Sequence, residues 1–451
     1  MSFPLNFNFF LVCTVLLAAP GLAAAQTAAS AQDLTRATEM NLDVKLMFPS
    51  PVPDRIILNL TAEPENSVAV NWRTDTTVQQ GIVEVALATD GTQFIQQLRK
   101  ITATTEYLRT RHEQEPAVSA HYHSAVIDGL TPGNVYVYRV GFGNGWSEWF
   151  QYRMPESTRG RPLSFLYFGD AQNDVKSHWS RVIREAYKKM PEVDFMLHAG
   201  DLINRHDHDI EWGEWFQAGS FIHATVPSVM TPGNHEYRNV KLSPHWRPQY
   251  NLPLNGPKGL EETCYQVNYH DLKVVSLDAE QIDETPYYAQ KQAQWLDSIL
   301  THDARRWTVL TIHYPFYSTK PNRDNLELRN RFKPILDKHK VDIVLQGHDH
   351  AYGRGMVSNS PSGQNRRAQL SGTMYVVSVS GPKMYNLSED PWMFRKAGNS
   401  QMFQIITIQD NQLLYNAYTA KGELYDSFIL RKQKGEANTL VNKTPNTPEK
   451  R

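Results

Sequence analysis

Cysteine is almost absent from this chain: of 451 residues only Cys13 and Cys264 are cysteine. Cys13 lies in an apolar leader, so a mature chain would keep Cys264 alone, with no internal disulfide, and stability must come from packing or bound metal. An excess of one charge is lacking as well. The formal net charge of -1 excludes the basic surface that nucleic acids require, and a hydrophobic content of 41% excludes a disordered chain. Long apolar runs are missing with one exception, Phe9 to Ala25, which ends in Ala23-Ala24-Ala25 before Gln26. That pattern matches a secretory signal and its cleavage site, so residues 1–25 are expected to be removed and the product to be secreted or periplasmic. A short membrane anchor is the alternative for this segment; no later stretch is long and apolar enough to span a bilayer.

What is present divides the chain into regions. Residues 26–54 are mixed and punctuated by Pro49, Pro51 and Pro53, as a linker is. Residues 55–155 carry short β-rich runs. In one, Val68, Val70 and Trp72 alternate with Ala69 and Asn71, the pattern of a half-buried antiparallel strand. Leu130, Pro132 and Tyr136 are spaced like the tyrosine corner of fibronectin type III domains, so an all-β sandwich is expected here. Its His121 and His123 read as sandwich or surface residues, because no carboxylate or cysteine accompanies them. Residues 431–451 are polar and almost free of apolar side chains, which predicts a disordered tail.

Between these regions, residues 162–430 contain five apolar runs that stop abruptly at metal-competent side chains. Ser164 to Phe168 leads to Gly169-Asp170, Val193 to Leu197 to His198-Ala199-Gly200-Asp201, and Val226 to Met230 to Gly233-Asn234-His235-Glu236. Trp307 to Ile312 leads to His313, and Val341 to Leu345 to Gln346-Gly347-His348-Asp349-His350. Helical segments intervene, such as Ser177 to Met190 and Gln290 to Leu300. In layered α/β folds ligands gather beyond the carboxyl ends of strands, so five such ends would meet in one cleft. Carboxylates, imidazoles and an amide without thiolates suit a pair of Fe, Mn or Zn ions. Two cations about 3.5–4 Å apart need a shared carboxylate, for which Asp201 is the natural choice. His235, outside the ligand shell, could protonate a leaving group, its ring held by Glu236 or another carboxylate.

Taken in order, these blocks resemble the calcineurin-like metallophosphoesterases, and among them the purple acid phosphatases. The resemblance implies a four-layer α/β/β/α sandwich preceded by the fibronectin-like domain. It places Asp170, Asp201 and His350 on a first metal and Asp201, Asn234, His313 and His348 on a second. Two departures bear on the first metal. Purple acid phosphatases carry an iron-binding tyrosine where this chain has Asn204, and other branches carry a histidine where it has Gln172. Only those neutral amides could substitute, or else they serve as neighbouring loop residues, so divalent ions and no purple colour are expected. His206 or His208 would touch the substrate phosphate. Arg354 either pairs with that phosphate or lies on the surface, and Asp278 is expected to form a turn.

The implied activity is an acid phosphatase-like phosphomonoesterase acting through a metal-held hydroxide, with a small phosphorylated substrate. Phosphodiesters, nucleotides or pyrophosphates are alternatives on the same site. A non-catalytic exported binding protein with a decayed first metal site is another.

Overall fold

The structure is a computed structural model that describes residues 1, 47–113, 116–156, 161–357, 372–433 and 436–451. The expected signal, apart from Met1, and most of the expected linker lie outside the described residues. The amino-terminal domain comprises β1 (Asp54–Asn59), β2 (Val68–Thr74), β3 (Ile82–Leu87), β4 (Arg99–Thr102), β5 (Thr104–Thr110), β6 (Val118–Ile127), β7 (Val135–Phe142), β8 (Gly145–Trp146) and β9 (Phe150–Arg153). Leu58, Val68, Val70 and Trp72 pack inward against Val83, Val85, Tyr138 and Val140 across the sandwich. Tyr136 closes a turn by accepting the Thr131 N–H on its hydroxyl at 2.8 Å.

In the larger domain, β10 (Leu163–Phe168), β11 (Phe195–Ala199) and β12 (Ser228–Thr231) run parallel. The hairpin β13 (Tyr237–Arg238) and β14 (Lys241–Leu242) follows, then β15 (Tyr265–Tyr269), β16 (Leu272–Leu277), β17 (Trp307–Ile312), β18 (Ile343–Gln346), β19 (Tyr352–Met356), β20 (Met374–Val377) and β21 (Arg395–Ala397). The chain finishes with β22 (Met402–Gln409), β23 (Gln412–Thr419), β24 (Leu424–Arg431) and β25 (Thr439–Asn442). One sheet has the order β15-β16-β17-β18-β20-β19-β21, with β16, β17, β18 and β20 parallel. Its central strands are buried on both faces, and the period of two sorts their side chains between two cores. Val274, Val309, Ile343 and Leu345 face the other sheet. Val275, Leu310, Ile312 and Val344 face the helices Pro286–His302 and Leu326–His339. On the far side, the helix Val175–Lys189 covers the first sheet with Trp179, Val182 and Ile183, which gives the four layers.

The first sheet does not stop at the domain boundary. Its order is β25-β24-β23-β22-β10-β11-β12-β1-β2-β6-β5, and β12 pairs parallel with β1 through Ser228 and Asn59. This continuity corrects the half-buried reading of β2: all seven of its residues are buried. Its outer face is covered by the larger domain, where Asn71 donates to the Pro248 carbonyl at 3.1 Å and Arg73 pairs with Asp209 at 3.1 Å. Arg55 meets the same Asp209 carboxylate at 2.8 Å.

The disordered tail is a second correction. β25 pairs antiparallel with β24, and Asn442 at its end and Thr444 beyond it accept hydrogen bonds from Arg354 at 2.7 and 2.9 Å. A segment poor in apolar side chains is ordered here through main-chain pairing, through Leu440 packed against the core, and through buried guanidinium groups that need acceptors. The close of the expected linker is ordered too, since Met47 is buried and its carbonyl accepts from Arg73 at 2.8 Å. Among the described residues no helix is long and apolar enough to cross a membrane.

His123 makes this domain sensitive to acid. Its ring stacks 5.2 Å from Trp72, and its nitrogens meet Thr74 Oγ1 at 2.8 Å and Thr105 Oγ1 at 2.9 Å. Burial, followed by the neighbouring His121, lowers its pKa from 6.5 to about 4. The neutral form therefore contributes stability that is present above pH 6.5 and lost as pH falls through about 4. Urea titrations on acidification across this window should show a loss of about 1–2 kcal/mol from this residue, and His123→Gln should flatten that part of the profile.

Candidate metal centre

The carboxyl ends of β10, β11, β12, β17 and β18 converge between the two sheets. Two groups of ligand atoms, each with all members within 4.8 Å of one another, are formed there: Asp201 with His313 and His348, and Asp170 with Asp201 and His350. Asp201 belongs to both. Asn234 joins the first group, its Oδ1 lying 3.2 Å from His313 Nε2. Three of the imidazoles have their Nδ1 committed or excluded in a way that aims the other nitrogen inward. His313 Nδ1–H donates to the Ala199 carbonyl at 2.8 Å, and His350 Nδ1–H to the Lys383 carbonyl at 3.0 Å. His235 Nδ1–H donates to the Asn204 carbonyl at 2.6 Å, leaving Nε2 4.0 Å from Asp201 Oδ2.

The backbone bends sharply to deliver these groups. Asp170, Asp201, His348 and His350 all have positive φ, at 49°, 53°, 74° and 47°, a conformation that costs about 1–2 kcal/mol per non-glycine residue. The carboxylates repay part of that cost by binding main chain. Asp170 accepts the His348 N–H at 2.8 Å, and Asp201 accepts the His235 N–H at 2.9 Å. Close approach makes two glycines obligatory. A Cβ on Gly233 would stand 2.2 Å from Asp201 Oδ1, and one on Gly347 would stand 2.4 Å from Asp170 Oδ2.

Electrostatics make this a site for cations. Asp170 and Asp201 are fully buried, and burial, with the charge of Asp201 adding to it, pushes Asp170 well above the usual carboxylate range. Burial opposes a proton on His313, yet Asp201 and Asp170 lift it to about 10. Without a cation the cluster must thus hold protons to balance its charge. Burial keeps His348 and His350 neutral, the latter at about 3, the form that ligates metal. Gln172 supplies a further test of fit. It is fully buried; its amide nitrogen donates to Asp201 Oδ2 at 2.6 Å and lies 3.4 Å from His350 Nε2, while its Oε1 has no hydrogen-bond partner. The Gln172 amide thus stands beside Asp201 and His350, and turning it over, which would put its unpaired oxygen where the nitrogen now lies, fits the missing fourth donor.

The amino-terminal domain matches the family model described as purple acid phosphatase, N-terminal domain, over residues 53–154, and residues 163–352 match that of calcineurin-like phosphoesterase. The chain belongs to the calcineurin-like metallophosphoesterases, in the purple acid phosphatase-like branch. It is 24% identical over 315 residues to probable purple acid phosphatase 20 of Arabidopsis thaliana, covering 67% of this chain and 69% of that one. It is 25% identical over 328 residues to acid phosphatase type 7 of Homo sapiens, covering 68% and 71%. The solved purple acid phosphatase PPD1 of yellow lupin superposes with a TM-score of 0.69 at 19% identity, covering 84% of this chain and 74% of that one.

Within this metallophosphoesterase the structure gives several residues roles other than those expected. Glu236 does not hold the His235 ring; the Asn204 carbonyl does. Glu236 instead accepts the N–H groups of Asp201, Leu202 and Gly233. The hydrogen bonds of Asn204 run through its main chain, its N–H going to Glu211 at 2.9 Å. His208 is buried, meets Arg205 at 2.6 Å and Glu211 at 3.2 Å, and packs on His112, so it is not free to reach a phosphate. His206 lies beside Asp207 at 3.3 Å, in the rim that His112 of the amino-terminal domain joins at 2.8 Å. His198 turns away from the cleft and packs neutral between Phe168 and Trp215. Arg354 is buried against Asp426 at 2.7 Å and cannot bind substrate. Asp278 caps a helix by accepting the Gln281 N–H at 3.1 Å. The spacing of sequence motifs carries no signal for main-chain acceptors such as Ala199, Asn204 and Lys383, which is why they were missed.

Gln172→Leu tests the fourth donor. Elemental analysis of the purified protein should show metal falling from about two ions per chain toward one, with first-site affinity down about 10–100-fold. An unchanged content would leave Gln172 as a hydrogen-bond donor only.

Proposed function

We propose that this chain is an exported metal-dependent phosphohydrolase acting on phosphomonoesters. The observation that carries the reading is that two ligand sets share Asp201 while an imidazole outside both sets faces it. Asp170, Asp201, His350 and Gln172 would hold one cation, and Asp201, Asn234, His313 and His348 the other. When bound, such a pair supplies Lewis acidity toward phosphoryl oxygens and lowers the pKa of a water. The protein's own residues do the rest. Ala199 and Lys383 fix the tautomers of His313 and His350, and Asn204 fixes that of His235 so that its Nε2 can hand a proton to the departing oxygen. The apolar leader supports export, and the similarity to acid phosphatases supports a phosphomonoester. A non-catalytic binder with a decayed first site fits less well, because the unpaired Gln172 oxygen and the His235 geometry serve no purpose in it.

Two substitutions test this. Asp201→Ala should remove both metal and activity, and an active, metal-loaded variant would overturn the shared-ligand assignment. His235→Ala should slow alkyl phosphates by about 100-fold or more and p-nitrophenyl phosphate much less, since only a poor leaving group needs the proton. An equal loss on both would reassign His235 to phosphate binding.

A further inference from the structure

Beside the first ligand set stands a pair of lysines that the ligand chemistry does not use. Tyr385 packs its ring 4.5 Å from that of His350. Lys320 Nζ lies 4.4 Å and Lys383 Nζ 5.5 Å from the centroid of the same tyrosine. Both lysines are half-buried. Neither ammonium forms an ion pair with a carboxylate among the described residues; the acidic groups close by are already committed. Asp170 serves the ligand cluster, and Asp349 is taken up by Arg323 at 2.5 Å, Ser318 Oγ at 2.7 Å and the Thr319 N–H at 2.6 Å.

The lysines are also held in place. The Gly381 N–H donates to the Asp170 carbonyl at 2.7 Å, the Tyr385 N–H to the His350 carbonyl at 3.2 Å, and His350 Nδ1–H to the Lys383 carbonyl at 3.0 Å. The turn that carries Lys383 is thus bonded to the first-site ligands themselves. Asp349, whose neighbours in the chain are His348 and His350, anchors the loop of Lys320, and the Ser388 N–H ties the two loops together through the Thr319 carbonyl at 2.7 Å. Lys383 is opposed by the charge of Asp170 across the site, but neither ammonium makes a direct ion pair among the described residues, so both can receive an added anion at the edge of the ligand cluster. A monoester with a neutral leaving group would leave both unmatched.

We propose that Lys320 and Lys383, lying over Tyr385, form a subsite for a second phosphoryl group of the substrate, so that the chain prefers compounds carrying two phosphoryl groups, such as a pyrophosphate. This rests on the phosphohydrolase reading and moves the preferred substrate from a simple phosphomonoester to a compound with a second phosphoryl group. The lysines supply point-charge donors to the phosphoryl that is not cleaved, and Tyr385 keeps their ammonium groups close to His350.

The test uses metal-loaded full-length protein and two non-hydrolysable probes, methylenediphosphonate and methylphosphonate, with binding read by calorimetry. The wild type should bind the diphosphonate at least about tenfold more tightly than the monophosphonate, and Lys320→Ala/Lys383→Ala should cut that ratio about tenfold at unchanged metal content. Lys320→Arg/Lys383→Arg, which keeps the charge, should retain most of the preference and so separates loss of charge from loss of packing. Absence of the preference in the wild type, or its survival in the alanine variant, would overturn the subsite. Hydrolysis of p-nitrophenyl phosphate is measured in parallel. Activity without the diphosphonate preference refutes the subsite alone, whereas the preference without activity refutes the hydrolase reading alone.

Discussion

Three main-chain N–H groups, those of Asp201, Leu202 and Gly233, converge on the carboxylate of Glu236 at 2.9, 2.8 and 2.7 Å. The metal centre depends on that convergence. β11 and β12 each end in a loop that carries ligands, and a carboxylate on one loop binding the backbone of the other sets their separation. The price is a charge buried beside Asp201, and burial, with Asp201 next, raises Glu236 to about 8. Cations in the neighbouring ligand sets favour its ionised form, so loading the site and bracing its loops are the same electrostatic event.

The amino-terminal domain takes part in this bracing. Its strands extend the first sheet past β12, and Arg55 and Arg73 grip Asp209 at the start of the helix Asp209–Gly219. That helix follows directly on the loop from Asn204 to His208. Glu211 of that helix binds the Asn204 and Arg205 N–H groups of the loop, and His112 of the amino-terminal domain reaches Asp207 within it. The Asn204 carbonyl that orients His235 therefore sits in a loop pinned from both domains. Buried ion pairs of this kind add little net stability over apolar contacts, but they set the position of one domain on the other.

Sequence reading singled out the candidate ligands because each follows closely on an apolar run. In a layered fold that placement alone brings Asp170, Asp201, Asn234, His313, His348 and His350 to one edge, although they spread from residue 170 to 350 of the chain. It failed where the decisive group was a carbonyl or an N–H, since every residue carries those and no side-chain pattern marks them. Arg354 shows the reverse error. Its position after the last block suggested the substrate or the surface, yet β19 points it into the core, where Asp426 neutralises it and Asn442 and Thr444 accept further hydrogen bonds from it.

The sequence by itself determined the two-domain plan and the strand ends that carry the candidate ligands, because these follow from hydrophobic period and residue chemistry, and its resemblance to the family marked the absence of the usual tyrosine and histidine donors. Only the tertiary structure decided that the Gln172 amide stands beside Asp201 and His350, that Asn204 serves through its carbonyl, and that Lys320 and Lys383 both lie against the ring of Tyr385. Those outcomes depend on left-handed backbone turns and on loops from distant strands crossing within hydrogen-bond reach. Such distances are set by packing the sheets together and have no counterpart in the local order of residues.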